Sequence, residues 1–170
     1  MRRALLVCSP GGHLAEMLLL EDSWQHLETS WVTLRGEGVD RLLAGRRVTF
    51  AHGPTNRSIR RLILNFFLAW RVLRRERPDA ILSTGAGVAV PFFIVGRMLG
   101  CRLVFVESFA RTSELSLSGR LVYPVAHEFF VQWPDAARGR RKARYRGGVI
   151  GGLGATAPVG DSPGAALSSR

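Results

Sequence analysis

Cysteine is scarce in this sequence of 170 residues, which contains only Cys8 and Cys101. Each lies in or beside an apolar segment, and the two do not form the closely spaced pair that is typical of a zinc site. We therefore expect two buried, reduced thiols. The sequence also lacks a cluster of carboxylates that could hold a divalent ion, so we predict that the chain binds no metal.

Long hydrophobic runs are also missing. The longest mainly apolar stretches, LILNFFLAW and VAVPFFIVG, are well short of the roughly 20 residues that a membrane-spanning helix needs. The apolar run at 4–8 is too short for the hydrophobic region of a signal peptide and is followed by Pro10 and two glycines. We therefore expect a cytoplasmic chain that does not cross a membrane.

The dinucleotide-binding pattern Gly-x-Gly-x-x-Gly does not follow the first predicted strand. The second predicted strand ends in Leu34 and Arg35, where a dinucleotide-binding protein would place an acidic residue. These two absences argue against a nicotinamide-dependent dehydrogenase.

Lysine is almost absent, since Lys142 is the only one, and arginine supplies nearly all of the positive charge. The formal net charge of +11 favours an anionic partner, which could be a nucleic acid, an acidic membrane surface or a phosphorylated substrate. Charge alone does not choose among these classes.

Apolar runs of strand length alternate with helical patterns along the chain. The strands are predicted at 4–8, 31–34, 48–51, 80–83, 103–106 and 129–131, and the helices at 14–20, 38–43, 58–75, 88–99 and 115–125. This alternation predicts an α/β fold, a Rossmann-like parallel sheet with helices on both faces, whose ligands bind beyond the carboxyl ends of the strands. We assign residues 1–152 to this domain and 153–170 to a disordered tail.

Two glycine-containing segments, SPGGH at 9–13 and STGAG at 83–87, each follow a predicted strand and precede a predicted helix. In such a turn, backbone N–H groups and the positive end of the helix can bind a phosphate, although turns shaped only by packing would have the same composition. His13 begins the first helix. It is either a base that takes a proton from an attacking hydroxyl or a capping or packing histidine.

Polar residues follow the fifth predicted strand at the same edge of the sheet. Glu107, Ser108 and Arg111 could hydrogen-bond a sugar or a phosphate there, or they could belong to a solvated loop.

The helical pattern from Arg57 to Arg75 predicts a helix and also indicates where in the cell the chain lies. At about 100° per residue, one broad face is predicted to meet the core, and it comprises Ile59, Leu62, Ile63, Phe66, Trp70 and Leu73. The opposite stripe comprises Arg57, Arg61, Leu64, Leu68, Arg71 and Arg75. Leucines between arginines suit an anionic lipid interface, although an ordinary surface helix can carry two exposed leucines.

The basic run RGRRKARYR at 138–146 is compatible with nucleic-acid binding, with Tyr145 stacking on a base. A solvated or membrane-facing run fits better, because the run has one aromatic residue and the chain contains no nucleic-acid module that we recognise. We expect no nucleic-acid partner.

Four segments carry a resemblance to one family, in that family's order. They are GGHLAEM at 11–17, STGAGVAVPFFIVGRMLG at 83–100, VFVESFARTSELSLSGRLVYPVA at 104–126 and FFVQWP at 129–134. On these segments the chain resembles asparagine-linked glycosylation protein fourteen and its bacterial relatives in exopolysaccharide and capsule synthesis. The resemblance extends over residues 4–152.

This resemblance implies the fold of the N-terminal half of MurG, a two-domain (GT-B) glycosyltransferase. It implies a peripheral subunit on the cytoplasmic face of the plasma membrane that presents a lipid-linked (polyprenyl diphosphate) sugar acceptor and recruits a separate donor-binding subunit. No cofactor is expected on this chain, and the UDP-sugar is expected on the partner. The implied reaction is inverting, similar to that of UDP-N-acetylglucosamine transferases, and this chain alone is expected to have little or no activity.

The resemblance also assigns roles to residues. The positions matched to acceptor binding are Gly11, Gly12, Gly85, Gly87, Glu107, Ser108 and Arg111, and those matched to partner contact are Gln132, Trp133 and Pro134. His13 matches the expected base for the acceptor hydroxyl. Leu14 departs from the family, in which many members carry a hydroxyl residue. Eukaryotic members begin with a transmembrane helix, for which we expect the helix at 57–75 to substitute.

Two other classes of function remain open on the sequence. A free-standing, nucleotide-binding single-domain enzyme would bind UDP by itself. A basic nucleic-acid-binding module would bind DNA with steep salt dependence.

Overall fold

A computed structural model describes residues 2–53 and 59–150 of the chain. Within these ranges a single parallel sheet has seven strands in the order β3-β2-β1-β4-β5-β6-β7. The strands are β1 Arg3–Val7, β2 Glu28–Thr33, β3 Arg47–Phe50, β4 Ala80–Ser83, β5 Arg102–Val106, β6 Glu128–Val131 and β7 Ala143–Tyr145. The predicted Rossmann-like architecture is confirmed. Arg57 and the tail at 153–170 lie outside the described residues.

Helices connect most of the strands. They are α1 Gly12–Leu19, α2 Glu21–Trp24, α3 Val39–Leu42, α4 Ile59–Glu76, α5 Ala89–Met98, α6 Leu117–Val122 and α7 Pro134–Ala137. Sequence reasoning missed α2, α7 and β7, because their three or four residues carry no clear apolar pattern. The missed strand β7 lies in the basic run, where Arg144 forms an ion pair with Glu128 of β6.

The core has two layers, one on each face of the sheet. Alternation along β1 sends Leu5 and Val7 to one layer and Ala4 and Leu6 to the other. The larger layer contains the ring of Phe105, which stacks on Phe129 with centroids 5.1 Å apart. Both cysteines are buried and free, as predicted, and burial raises the pKa of Cys8 to about 12.

Helix α4 corrects the prediction of its core side. Its buried residues are Asn65, Ala69, Val72 and Leu73, and of these only Leu73 had been assigned to the core face. Ile59, Ile63, Phe67 and Trp70 are exposed, and we call these four residues the outer face of α4. Leu68, which had been placed outward, is half-buried and packs against the larger core layer. Of the predicted core face, Phe66 and Leu73 do pack against the core, whereas Ile59, Ile63 and Trp70 are exposed, so the helix is rotated relative to the prediction.

Helix α4 is the longest described helix, at 18 residues. Among the described residues, no helix combines the length and the apolar character that crossing a bilayer requires.

Candidate functional site

The strand order places a crevice between the carboxyl ends of β1 and β4. The chain proceeds from β1 toward β3 on one side of the sheet and from β4 toward β7 on the other, so the connections after β1 and β4 diverge. A parallel sheet binds its ligands at such a switch point. The two predicted glycine loops, which follow β1 and β4, meet here, and we call this region the switch-point crevice.

The first loop leaves the start of α1 open. Gly11 has a φ of 77°, which favours glycine, and it occupies the N-cap position of α1. Gly12 is different, because its φ is ordinary and no atom lies within 4 Å of the position that a Cβ would occupy. Neither backbone conformation nor internal packing requires a glycine at residue 12, so the missing side chain leaves the helix start accessible to a ligand.

Two hydrogen bonds join His13 to Thr84 of the second loop. The Nδ1 atom of His13 lies 2.8 Å from the carbonyl oxygen of Thr84, and the Thr84 hydroxyl donates to the carbonyl oxygen of His13 at 2.6 Å. A carbonyl oxygen can only accept a hydrogen bond, so in the neutral ring Nδ1 carries the hydrogen and donates it to Thr84. The Nε2 atom is then the basic nitrogen of the half-buried imidazole.

The second loop is shaped around the His13 ring. A Cβ on Gly85 would lie 2.8 Å from His13 Cε1, so this buried glycine permits the close approach of the imidazole. Gly85 and the following Ala86 both have positive φ, of 119° and 77°. Ala86 is a residue type that seldom adopts this conformation, and such backbone strain is typical of functional loops. Gly85 thus helps to position His13, and its direct contact with the acceptor stays a prediction.

Glu107 is inside the protein, with its side chain bonded to the loop that follows β5. The residue is 1% exposed, and its carboxylate accepts hydrogen bonds from the backbone N–H groups of Ser108 and Ser116 and from the Ser116 hydroxyl. Gly119 approaches so closely that a Cβ there would clash with Glu107 Oε2. Glu107 thus braces the loop from inside the protein, and its contact with the acceptor stays a prediction. Arg111 in the same loop is exposed.

Glu16 connects α1 to that same loop. Its Oε1 atom accepts from the Ser108 hydroxyl at 3.1 Å and from the Phe109 N–H at 3.0 Å, whereas Oε2 is buried and has no hydrogen-bond partner. Burial raises the pKa of the Glu16 carboxyl above its ordinary value, against the opposing effect of those two hydrogen bonds. The position lies one helical turn from His13, on the same side of α1.

The predicted partner-contact residues sit where β6 ends and α7 begins. Gln132 is buried, donates to the Glu107 carbonyl oxygen at 3.0 Å and accepts from the Val149 N–H at 2.9 Å. Trp133 is half-buried and donates to the Phe109 carbonyl oxygen at 2.7 Å, while Pro134 is exposed. Trp133 and Pro134 are thus more accessible to a partner than Gln132, which is 4% exposed.

Sequence reasoning singled out His13 but missed Thr84 and Glu16 as its neighbours. Thr84 lies within the quoted STGAG segment, so the signal was present as a polar side chain beside the glycines. The pairing itself depends on which two strands are adjacent, which the sequence alone does not specify.

The chain is similar in sequence to proteins of one family. A family model described as oligosaccharide biosynthesis protein Alg14 like matches residues 44–149. The UDP-N-acetylglucosamine transferase subunit ALG14 of Eremothecium gossypii is 34% identical over 180 residues, which cover 88% of this chain and 80% of the relative. The human subunit of the same name is 30% identical over 92 residues, covering 51% of this chain and 43% of that protein.

Solved structures show the same fold. MurG of Acinetobacter baumannii superposes with a TM-score of 0.72 at 17% identity, covering 87% of this chain and 45% of MurG. A UDP-N-acetylglucosamine 2-epimerase of Rickettsia bellii gives 0.68 at 11% identity, covering 90% of this chain and 46% of the epimerase. This chain therefore spans about half the length of these structural relatives.

Proposed function

This chain belongs to the Alg14-like family of oligosaccharide biosynthesis proteins, and from that premise we propose that it is the acceptor-presenting subunit of a two-chain UDP-sugar glycosyltransferase. The relatives at 34% and 30% identity carry the word subunit in their names, which supports a partner chain. We assign the UDP-sugar to that partner. The sugar that accepts the transfer would be linked to a polyprenyl diphosphate.

The observation that carries this proposal is the fixed orientation of His13 in the switch-point crevice. Its Nδ1 atom is occupied by the Thr84 carbonyl oxygen, so Nε2 is the atom that can receive a proton. In the proposed step, the acceptor hydroxyl attacks the anomeric carbon of the donor sugar and gives its proton to His13 Nε2. The bond from that carbon to the UDP oxygen breaks, and UDP leaves with inversion.

The loops around His13 supply the acceptor site in this proposal. The open start of α1 at Gly11 and Gly12 would receive an anionic group of the acceptor, and Gly87, Ser108 and Arg111 would add contacts from the other loops. Glu107 and Gly85 contribute by holding those loops and the imidazole in place.

We further propose that the outer face of α4 lies in the membrane interface. Ile59 is 76% exposed and Phe67 68% exposed, and the arginines Arg60, Arg71 and Arg74 are exposed beside them. An apolar stripe next to arginines suits the boundary between acyl chains and anionic headgroups. This assignment keeps the predicted helix and Leu64, which is exposed as expected, and adds Ile63 and Phe67. Only Leu68 is given up, because it packs against the core.

A part of the sheet whose apolar side chains are only half-buried supports the proposal of a partner chain. Leu82, Val104 and Phe130 are half-buried on neighbouring strands and line a cleft of about 380 Å³ that also contains Gln132. Apolar strand residues of this kind gain free energy when a partner covers them. We propose that the donor-binding subunit docks here and along Trp133 and Pro134.

Sugar transfer from labelled UDP-sugars to membrane lipid tests the proposal. Cells would express this chain alone, the candidate partner alone, or both chains. We expect transfer only with both chains, and the labelled sugar would identify the donor. In the two-chain system, His13→Ala should lower transfer by about 100-fold or more and leave the chain folded, at a cost of about 1 kcal/mol for the lost hydrogen bond to Thr84. Full transfer with His13→Ala would remove this residue from the role of base.

A free-standing nucleotide-binding enzyme is the alternative, and it is favoured by the solved 2-epimerases that share the fold. The isolated chain would then bind UDP tightly and need no partner, so calorimetry with UDP separates the two functions.

A further inference from the structure

A second cleft lies beside the first glycine loop, over the carboxyl ends of β2 and β3. It has a volume of about 540 Å³, within the range of small-molecule sites, and Pro10 separates it from the start of α1. The other walls come from the residues after β2, the residues after β3 and the first turns of α4. None of His13, Thr84 and the two glycines at the start of α1 lines this cleft.

The polar lining of this cleft is basic. Arg35, His52 and Arg61 line it, and among the described residues no aspartate or glutamate does. The remaining lining side chains are apolar. A concave surface with two guanidinium groups, an imidazole and no carboxylate attracts an anion, and guanidinium matches the geometry of phosphate oxygens. We call this region the arginine cleft.

Contacts within the chain hold the walls of the arginine cleft. The guanidinium carbon of Arg35 lies over the Phe50 ring, 4.4 Å from its centroid, and stacking of this kind leaves the in-plane N–H donors for a ligand. Asn65 accepts from the backbone N–H of His52 and donates to its carbonyl oxygen, both at 2.9 Å. The His52 backbone is therefore fixed to α4 while its imidazole remains at the cleft.

The floor is also closely packed. A Cβ on Gly36 would lie 2.7 Å from the ring of Pro10, and one on Gly53 would lie 3.0 Å from Leu34 Cδ2. These approaches bring the loops after β1, β2 and β3 together, so the basic groups sit on a pre-formed surface.

Apolar residues of α4 form the rim of the arginine cleft. Leu64 lines the cleft and is 41% exposed, and the neighbouring Ile59 and Ile63 on the first turns of the helix are exposed as well. A basic cleft that opens beside exposed apolar side chains fits an anion that is attached to a hydrocarbon chain.

We propose that the arginine cleft binds the phosphate group of a lipid headgroup, with Arg35 and His52 as its donors. The lipid source of that phosphate rests on the proposed function. The anion site itself does not depend on it. In this arrangement the lipid chain leaves along the first turns of α4, and the headgroup reaches past Pro10 toward the switch-point crevice.

Calorimetry with inorganic diphosphate tests the anion site without a membrane. The wild-type chain should bind diphosphate, and the Arg35→Gln/His52→Gln double variant should bind it at least about tenfold more weakly. Arg2→Gln is the matched control, because Arg2 is exposed at the opposite edge of the sheet, and it should leave the affinity within about twofold. Equal affinity in the double variant and the wild type would overturn the site.

The variants are chosen to preserve the fold. The hydrogen bonds from Asn65 use only the backbone of His52, so His52→Gln leaves them in place. Arg35→Lys keeps the charge but loses the fork of donors, and we expect an affinity between those of the wild type and the double variant. Thermal unfolding of each variant confirms that a loss of binding is not a loss of structure.

Vesicle binding identifies the source of the phosphate. The probes are phosphatidylcholine vesicles, the same vesicles containing phosphatidylglycerol, and the same vesicles containing a polyisoprenyl diphosphate. Weaker binding of the double variant to either kind of anionic vesicle supports a lipid headgroup as the source of the phosphate. A larger loss of binding with the polyisoprenyl diphosphate vesicles identifies that lipid as the acceptor. Unchanged vesicle binding with lost diphosphate binding would assign the site to a soluble phosphate and overturn the lipid source.

This outcome is separable from that of the proposed function. Diphosphate binding needs neither the partner nor transfer, so the anion site can stand even where the His13→Ala test fails. Conversely, the wild-type chain could fail to bind diphosphate while transfer still depends on His13. That result would overturn only the anion site in the arginine cleft.

Discussion

The side chain of Asn65 pairs with both backbone groups of His52, and this pairing fixes which side of α4 faces the sheet. The two hydrogen bonds are 2.9 Å long, and Asn65 is fully buried. Burial of a carboxamide is costly unless its polar atoms are bonded, so a rotation of the helix that removes these bonds is disfavoured. The more apolar residues of α4 are left outside as a result.

Replacement of Asn65 should therefore be among the costly substitutions on α4. Asn65→Ala leaves the N–H and the carbonyl oxygen of His52 without these partners, and we expect a loss of about 2–4 kcal/mol in the free energy of unfolding. Urea denaturation measures this loss. Ile59→Ala is the control, because that residue is exposed, and it should change stability by less than about 0.5 kcal/mol. Similar effects of the two variants would contradict the role of Asn65.

Opposite faces of α4 should respond differently to charge. The Ile63→Asp/Phe67→Asp variant places carboxylates on the outer face, and we expect it to dissociate from anionic vesicles with its melting temperature unchanged. Leu68→Asp places a charge against the core, so it should lower the melting temperature instead. Vesicle sedimentation and thermal unfolding distinguish the two. Retained vesicle binding by the double variant would rule out the outer face as the membrane contact.

The two glycine loops differ in what a methyl group should do. Gly85→Ala meets the His13 ring and an unfavourable φ, so it should cost about 1–3 kcal/mol of stability and also lower transfer. Gly12→Ala meets open space and a favourable backbone, so stability should stay the same or rise by up to about 1 kcal/mol. Transfer should nevertheless fall in Gly12→Ala, because the methyl group occupies the open helix start. Normal transfer in that variant would show that no ligand approaches Gly12.

The buried carboxyl of Glu16 should make stability depend on pH. Its pKa in the folded chain is raised above the ordinary value of 4.5, mainly by burial, so the folded chain retains a proton that the unfolded chain releases. Stability relative to Glu16→Gln should therefore decline as the pH rises from 4.5 through the raised pKa, by at most about 1.4 kcal/mol per pH unit. Denaturation of both proteins over this range measures the difference. Parallel stability curves would show that Glu16 does not titrate in this way.

The order of strands and helices could be predicted from the sequence to a large extent. Apolar runs such as 80–83 match β4 residue for residue, because an inner strand of a parallel sheet is typically a continuous apolar stretch bounded by polar residues. The positions of both glycine loops and of His13 followed from that order. The short β7 could not be predicted, because its residues Ala143, Arg144 and Tyr145 lie in a basic run. It pairs with the edge that β6 leaves free.

What the sequence by itself determined is the alternation that makes a parallel sheet, and with it the edge at which His13, Ser108 and Arg111 emerge. The tertiary structure decided which polar groups are exposed to a ligand and which form hydrogen bonds inside the protein. Glu107 belongs to the second group, because it accepts from the backbone N–H of Ser116. The tertiary structure also decided the rotation of α4, through the bonds between Asn65 and His52. The physical reason is the same in both cases. Hydrophobic periodicity reports an average over one element, whereas the partner of a buried polar group comes from residues that are distant in sequence and become neighbours only when the sheet forms.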